Sequence, residues 1–336
     1  MTSPILHRMA TRPSPRHAVR RLGALLWLPL VALLAVTGRA QDDGAPPPPL
    51  KVLASVPTYG ALATEIGAGL VDVYVPTRPG QDMHTVTATP SIMARVRDTD
   101  LVLHTGLDAE FWLEPLLRGS GNTRLLGDPR RMVALSDGIR LLEVPTEVSR
   151  RAGDIHAFGN VHVWADPLNV RIMAARVKDA LVALRPGAEA AITARHAAFH
   201  ERLTRALVRW LTDYQGLKGR PVVTYHRSWV YFLERFGLTD GGTVEPKPRV
   251  APTASHLDEL VTGMRAREVG VIIAEPFHSP EATDFLVERT GAKVLVLSTH
   301  PGFPEGDPAT ADIVGHFEHN LAALAAALGL EVSHQP

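Results

Sequence analysis

A chain of 336 residues, 45% hydrophobic and 21% charged, can bury a sizeable core, and its length suits two domains. A formal net charge of zero with 6% aromatic residues leaves no electrostatic footprint for nucleic acid. The sequence contains no cysteine, which excludes disulfides and a lipid anchor on an N-terminal cysteine.

The chain opens on Arg8, Arg12, Arg16, Arg20 and Arg21, followed by the apolar run Leu22 to Val36 and the small residues Gly38 and Ala40. That order is the signature of a secretory signal peptide, residues 1–40, and its apolar run is too short for a membrane span. The expected mature protein is therefore soluble and periplasmic, exported by the general or the twin-arginine route. Residues 41–49, ending in four prolines, read as a flexible leader.

From Lys51 the pattern alternates strand and helix: strand to Val56, helix to Ile66, strand Leu70 to Val75, a loop to His84, helix Pro90 to Arg97, strand Asp100 to His104 and helix Ala109 to Leu117. Such alternation predicts a parallel sheet covered on both faces. After a less regular stretch, 145–160, comes Asn160 to Pro167, and then Pro186 to Leu217, where Ile192, Phe199, Leu203, Ala206 or Leu207, Trp210 and Tyr214 recur at helical spacing. Glu201 with Arg205, and Arg209 with Asp213, place opposite charges one turn apart on the expected solvent face. Beyond Gly219 the alternation restarts with strand Pro221 to Tyr225, a helix carrying Trp229 and Phe232, the polar loop Glu245 to Pro252, helix Ser255 to Arg267, strands Val271 to Ala274 and Lys293 to Leu297, and a closing helix Asp312 to Leu328.

The predicted architecture is thus two parallel-sheet α/β lobes, 50–185 and 218–330, joined by one long spine helix, 186–217, with the functional site in the interlobe cleft. In such sheets ligands sit beyond the carboxyl ends of the strands. That rule selects His84, His104, His226, His300 and Glu275, whereas His196, His200, His316 and His319 fall on helices, where a solvated face is expected. His84, His162 and His226 lie in three separate loops beside aromatic residues or prolines, and no helix carries the paired histidines and glutamate of a zinc protease.

The segment Val161-His162-Val163-Trp164-Ala165-Asp166-Pro167 resembles the His-x-Trp-x-Asp-Pro signature of the zinc and manganese substrate-binding proteins of ABC importers, the ZnuA/TroA-like group. Gly80 to His84 is similar to the first ligand loop of that group. Thr105 to Glu110 resembles its Asn-Gly-Leu-x-x-Glu step, Tyr225 to Phe232 its third ligand segment, and Ile273 to Pro276 the strand end that follows. The order of these pieces across about 50–328 carries the resemblance. It implies a binding protein rather than an enzyme, with His84, His162 and His226 as metal ligands, an inner-membrane ABC permease as partner, and a monomeric state.

The sequence departs from that pattern at Met83, where a proline or an acid is usual, at Ser298, where many members carry an aspartate ligand, and in lacking a histidine-rich run, His156 standing alone in 127–160. The fourth position is left to Glu275, His300 or water, and Asp166 either supports the ligands or caps the following helix. Three neutral imidazoles suit Zn²⁺, with Mn²⁺ as the alternative. Two other classes stay open on the sequence alone: an exported zinc metallohydrolase, and a binder of a chelated-metal solute.

Overall fold

The computed structural model of the chain describes residues 47–145, 158–247 and 250–332. The expected signal peptide, most of the leader and His156 lie outside the described residues.

The first half builds β1 (Leu50–Ala54), α1 (Pro57–Gly67), β2 (Val71–Tyr74), α2 (Pro90–Val96), β3 (Leu101–His104), α3 (Leu113–Gly119) and β4 (Met132–Ala134). Its strands form a four-stranded parallel sheet in the order β2-β1-β3-β4. Two helices follow, α4 (Pro167–Leu184) and α5 (Glu189–Asp213), joined by a single 3-10 turn. The second half holds β5 (Pro221–Thr224), α6 (Val230–Phe236), β6 (Thr239–Thr243), α7 (Ala254–Ala266), β7 (Val271–Ala274), α8 (Glu281–Thr290), β8 (Lys293–Val296) and α9 (Ile313–Ala327). Its sheet repeats the topology of the first, β6-β5-β7-β8, again parallel.

Alternation along the strands explains how the two sheets combine, because successive side chains point to opposite faces. Val52 and Ala54 of β1, Val222 of β5 and Ile273 of β7 all belong to one continuous apolar core, which also takes in α1, α4, α5, α6 and α9. Their neighbours on the other faces, Leu53 with Val102 and Val223 with Ile272, enter two separate smaller clusters. Inner faces are shared between the lobes and outer faces are private. Each sheet has its strand-order reversal between two central strands, β1 and β3 in one, β5 and β7 in the other, where a crevice forms beyond the carboxyl ends.

The spine is shorter than the pattern suggested. A 3-10 turn covers Pro186–Ala188, the α-helix runs over Glu189–Asp213, and a second 3-10 turn covers Gln215–Leu217. Gly187 and Gly216 weaken the helix at both ends, leaving a rod of about 37 Å. Its apolar positions Ile192, Phe199, Leu203, Ala206, Leu207 and Trp210 are all buried. Glu201 and Arg205 pair on the exposed face at 2.5 Å; Arg209 lies 3.9 Å from Asp213 as expected, but Asp213 is buried, and Arg209 also reaches across to Glu318 of α9.

Helix α3 begins at Leu113, not Ala109, because Gly106, Leu107 and Asp108 all adopt positive φ and form a tight loop in front of it. That loop returns Glu110 to the sheet, where its Oε1 accepts from Ser55 Oγ and Thr105 N, both at 2.7 Å, directly over the strand-order reversal. Strands β4 and β6 have no counterpart among the predicted strands: one is three residues long, and the other reads Thr-Asp-Gly-Gly-Thr.

Phe199 sits at the centre of the shared core and is 1% exposed. Phe199→Ala is expected to lower unfolding free energy by about 3–5 kcal/mol in a urea titration, with both halves losing structure in one transition.

Candidate metal centre

Between the carboxyl ends of the two sheets lies a cavity of about 50 Å³ lined by His84, His162, His226, Glu275 and His300, among others. Three loops bring the first three imidazoles together. Their rings approach edge to face at centroid separations of 5.7 Å (His84 to His162), 6.4 Å (His84 to His226) and 5.2 Å (His162 to His226). One ring nitrogen from each lies within 4.8 Å of the other two.

His84 stands in a 3-10 turn, Met83–Thr85, between β2 and α2. Asp82 caps the turn by accepting from His84 N at 2.9 Å, and Trp112 Nε1 donates to Met83 O at 3.0 Å, which ties the turn to the first lobe. Ser298 Oγ donates to Pro79 O at 2.6 Å and ties the same loop to the second lobe. Burial lowers the His84 pKa below the usual imidazole value, with His226 adding to the effect against Asp82 and Glu110. His84 is neutral at neutral pH, as a metal ligand has to be.

His162 is buried, and its backbone N and ring Nδ1 both reach Asn160 Oδ1, at 3.0 and 3.1 Å. The Asn160 amide nitrogen donates to Glu143 Oε2 at 2.9 Å and to Arg227 O at 2.8 Å, so its oxygen faces the ring. An amide oxygen only accepts, so Nδ1 carries the hydrogen and Nε2 is the unprotonated nitrogen. His226 follows β5, and its Nδ1 lies 2.9 Å from Glu245 Oε2, which fixes the same tautomer in the neutral ring. Burial opposes charge on His226, yet the hydrogen bond to Glu245 and the carboxylates of Glu275, Glu245 and Asp82 prevail and raise its pKa.

Glu275 and His300 line the cavity with their side chains engaged elsewhere. Glu275 Oε1 accepts from Ser228 Oγ and, at 3.0 Å, from Trp229 Nε1. His300 stacks on Trp164 at 5.0 Å, and its Nδ1 pairs with Thr58 Oγ1 at 2.9 Å. Asp166 caps α4, accepting from Leu168 N at 2.8 Å, and also receives a two-pronged bond from Arg235 of α6 at 2.7 and 2.8 Å. His104 turns back on its own loop, where Nδ1 accepts from Gly106 N at 3.1 Å. The solvated-face expectation fails for His316, which is 2% exposed on α9. His200 is half-buried, and its Nε2 accepts from Arg171 at 2.8 Å.

Against known proteins, the family described as "Zinc-uptake complex component A periplasmic" matches residues 52–327. The chain belongs to this ZnuA family. It is 24% identical over 283 residues to the high-affinity zinc uptake system protein ZnuA of Haemophilus ducreyi, covering 79% of this chain and 86% of that one. It is 28% identical over 283 residues to the zinc-binding protein TroA of Treponema pallidum, covering 81% and 88%. A crystal structure of ZnuA superposes with a TM-score of 0.70 at 22% identity, over 83% of this chain and 99% of that one, a likeness of fold. Members of the ZnuA family are periplasmic solute-binding components of uptake complexes and not enzymes. Among the described residues no helix is long and apolar enough to cross a membrane.

Sequence reasoning missed Glu245, Asn160 and Arg235, the residues that orient the imidazoles and the loops bearing them. Glu245 directly follows β6 and Val244, so recognising that strand would have placed it at a strand end facing the crevice. Asn160 pairs with His162 two residues on, but its anchor Arg227 O and Arg235's partner Asp166 lie 67 and 69 residues away in sequence.

His300 and His316 are both held near pKa 3, chiefly by burial. Once unfolded, each regains an imidazole pKa of about 6.5, so between those values the unfolded chain binds protons that the fold refuses. Stability is therefore complete above the unfolded pKa and falls as pH drops. Each histidine is expected to cost about 1.4 kcal/mol per pH unit on acidification, and His316→Asn to flatten the slope by that amount in urea titrations of the metal-free protein between pH 6 and 4.

Proposed function

We propose that this chain captures a divalent transition metal, Zn²⁺ in preference to Mn²⁺, on His84, His162 and His226, and delivers it to an ABC permease in the inner membrane. The observation that carries this reading is the convergence of three buried imidazoles, two of them with Nδ1 held by Asn160 and Glu245 so that Nε2 faces the site. Around Zn²⁺ at about 2.0–2.1 Å, tetrahedral ligand nitrogens lie about 3.3 Å apart, so ring nitrogens now within 4.8 Å of one another have to draw in by an ångström or so. Side-chain rotation and a small shift of the Pro79 to His84 loop supply that contraction without wide movement of the lobes.

A donor set of three nitrogens and no carboxylate favours Zn²⁺ over Mn²⁺, which prefers oxygen. Water takes the fourth position in this reading, since Glu275 Oε1 accepts from Ser228 and Trp229, its Oε2 pairs with His278 Nε2 at 2.9 Å, and His300 Nδ1 pairs with Thr58. Asp82, Glu245 and Glu275 surround His226 with negative charge. They attract the dication and offset its charge after binding. The partner permease, the monomeric state and export by removal of residues 1–40 belong to the same proposal.

In the mature chain, residues 41–336, stripped with chelator, one tight equivalent of Zn²⁺ is expected by competition titration, with weaker binding of Mn²⁺. His162→Ala should weaken zinc binding at least about a hundredfold, by loss of a direct ligand. Persistence of tight binding in that variant would refute the site. Protonation of His226 closes its Nε2 to metal, and its pKa is raised, so affinity should begin to fall above the ordinary imidazole value. Below that point the loss should be about tenfold in Kd per pH unit for each proton displaced.

A further inference from the structure

Glu143 does not line the metal cavity, yet it touches the segments that carry two of the three histidines. Its Oε2 accepts from Asn160 Nδ2 at 2.9 Å, and its Oε1 accepts from Arg227 Nε at 2.6 Å and from Arg227 Nη2. Asn160 stands two residues before His162, and Arg227 directly follows His226. One carboxylate thus ties a segment of the first lobe to a segment of the second.

The backbone around Glu143 is fixed on both sides of the crevice. Leu142 O accepts from Asn160 N at 2.8 Å, and Leu142 N donates to Tyr231 Oη of α6 at 3.1 Å. Glu143 itself has a φ of 52°, a left-handed conformation that a glutamate holds only where its surroundings compensate. The side chain supplies that compensation, since its bonds to an amide and a guanidinium are charge-assisted.

The orientation of the Asn160 amide is what bears on metal. A carboxylate accepts and never donates, so Glu143 admits only the amide nitrogen and leaves the oxygen on His162 Nδ1, at 3.1 Å. Were the amide turned over, its N–H groups would face Nδ1, the ring hydrogen would move to Nε2, and that nitrogen would be closed to a metal. Arg227 O accepts from the same Nδ2 at 2.8 Å, so two acceptors share the task. Glu143 also holds the Arg227 side chain, whose Nη1 donates to Asp240 Oδ2 at 3.1 Å beside β6.

We propose that Glu143 is a positioning residue for the metal centre: it sets the Asn160 amide, and through it the metal-ready tautomer of His162, while fastening the segment that bears His226 to the same point. The inference rests on the reading of His84, His162 and His226 as the tight site, and names a residue outside the cavity on which two of those ligands depend.

Zinc competition titration of the mature metal-free chain, together with long-range proton–nitrogen correlation spectra of its histidine rings, tests the assignment. In the wild type His162 is expected as the Nδ1–H tautomer. Glu143→Gly removes the carboxylate and suits the left-handed backbone, so the fold is kept. It is expected to weaken zinc binding about tenfold and to shift His162 to a mixture of tautomers. Glu143→Gln keeps the length but has a single accepting oxygen for Asn160 and Arg227, and is expected to recover part of the loss. In an Asn160→Ala background the same Glu143→Gly change should cost about threefold or less, because the contact through which Glu143 acts on His162 is gone. Wild-type affinity with an unchanged His162 tautomer in Glu143→Gly would overturn the role, as would an equal loss of affinity with and without Asn160. The tautomer is read without metal, so it tests Glu143 even where tight zinc binding by His162→Ala refutes the three-histidine site.

Discussion

The sharing of one apolar core by two sheets is the constraint on which the rest of the structure depends. A parallel sheet must be covered on both faces, and here the inner faces are covered by α1 on the first sheet and by α6 and α9 on the second, with α5 packed against both α1 and α9 so that one core runs through. The carboxyl ends of the strands are thereby held close together across a narrow crevice. A wide hinge would expose the apolar packing of α5 against α1 and α9 to water at about 25 cal/mol per Å² of apolar surface, a cost that opposes large rotations.

Polar contacts across the crevice refine what the core sets coarsely. Arg235 of α6 grips Asp166, which caps α4 four residues beyond His162. Tyr231 donates to Asn160 O at 2.8 Å, and Asn160 in turn holds both the His162 ring and Arg227 O beside His226. Two of the three converging histidines, one from each lobe, are thus mounted on a single hydrogen-bonded frame. His84 belongs to a loop held at Pro79 by Ser298 and at Met83 by Trp112, one anchor in each lobe. The network is conditional on burial, because each of these bonds is worth little in water and more where solvent is excluded.

The parts of this arrangement that were legible in the sequence are those whose cause is local. Strands β1, β3, β5 and β7 are short runs dominated by Val, Leu and Ile, and the burial of Ile192, Phe199 and Trp210 follows from helical spacing. Strands β4 and β6 escaped notice because one is very short and the other is glycine-rich, held in the sheet by its neighbours rather than by its own propensity. His316 looked like a surface residue because its α9 neighbours are small and mixed, yet the helix packs on β8 and buries it. The three imidazoles could be singled out as loop histidines beside strand ends and a distinctive motif. Their tautomers could not, since these depend on Asn160 and Glu245, and Glu245 is 19 residues from His226 along the chain.

The proposed site holds its metal with three imidazoles and water. X-ray absorption at the zinc edge of the mature chain, loaded with less than one equivalent so that the tight site fills first, reads that directly. Three imidazole multiple-scattering sets with nitrogen and oxygen at about 2.0 Å, four-coordinate in total, is the predicted result. A six-coordinate oxygen-rich shell, or a spectrum with one imidazole, would contradict it.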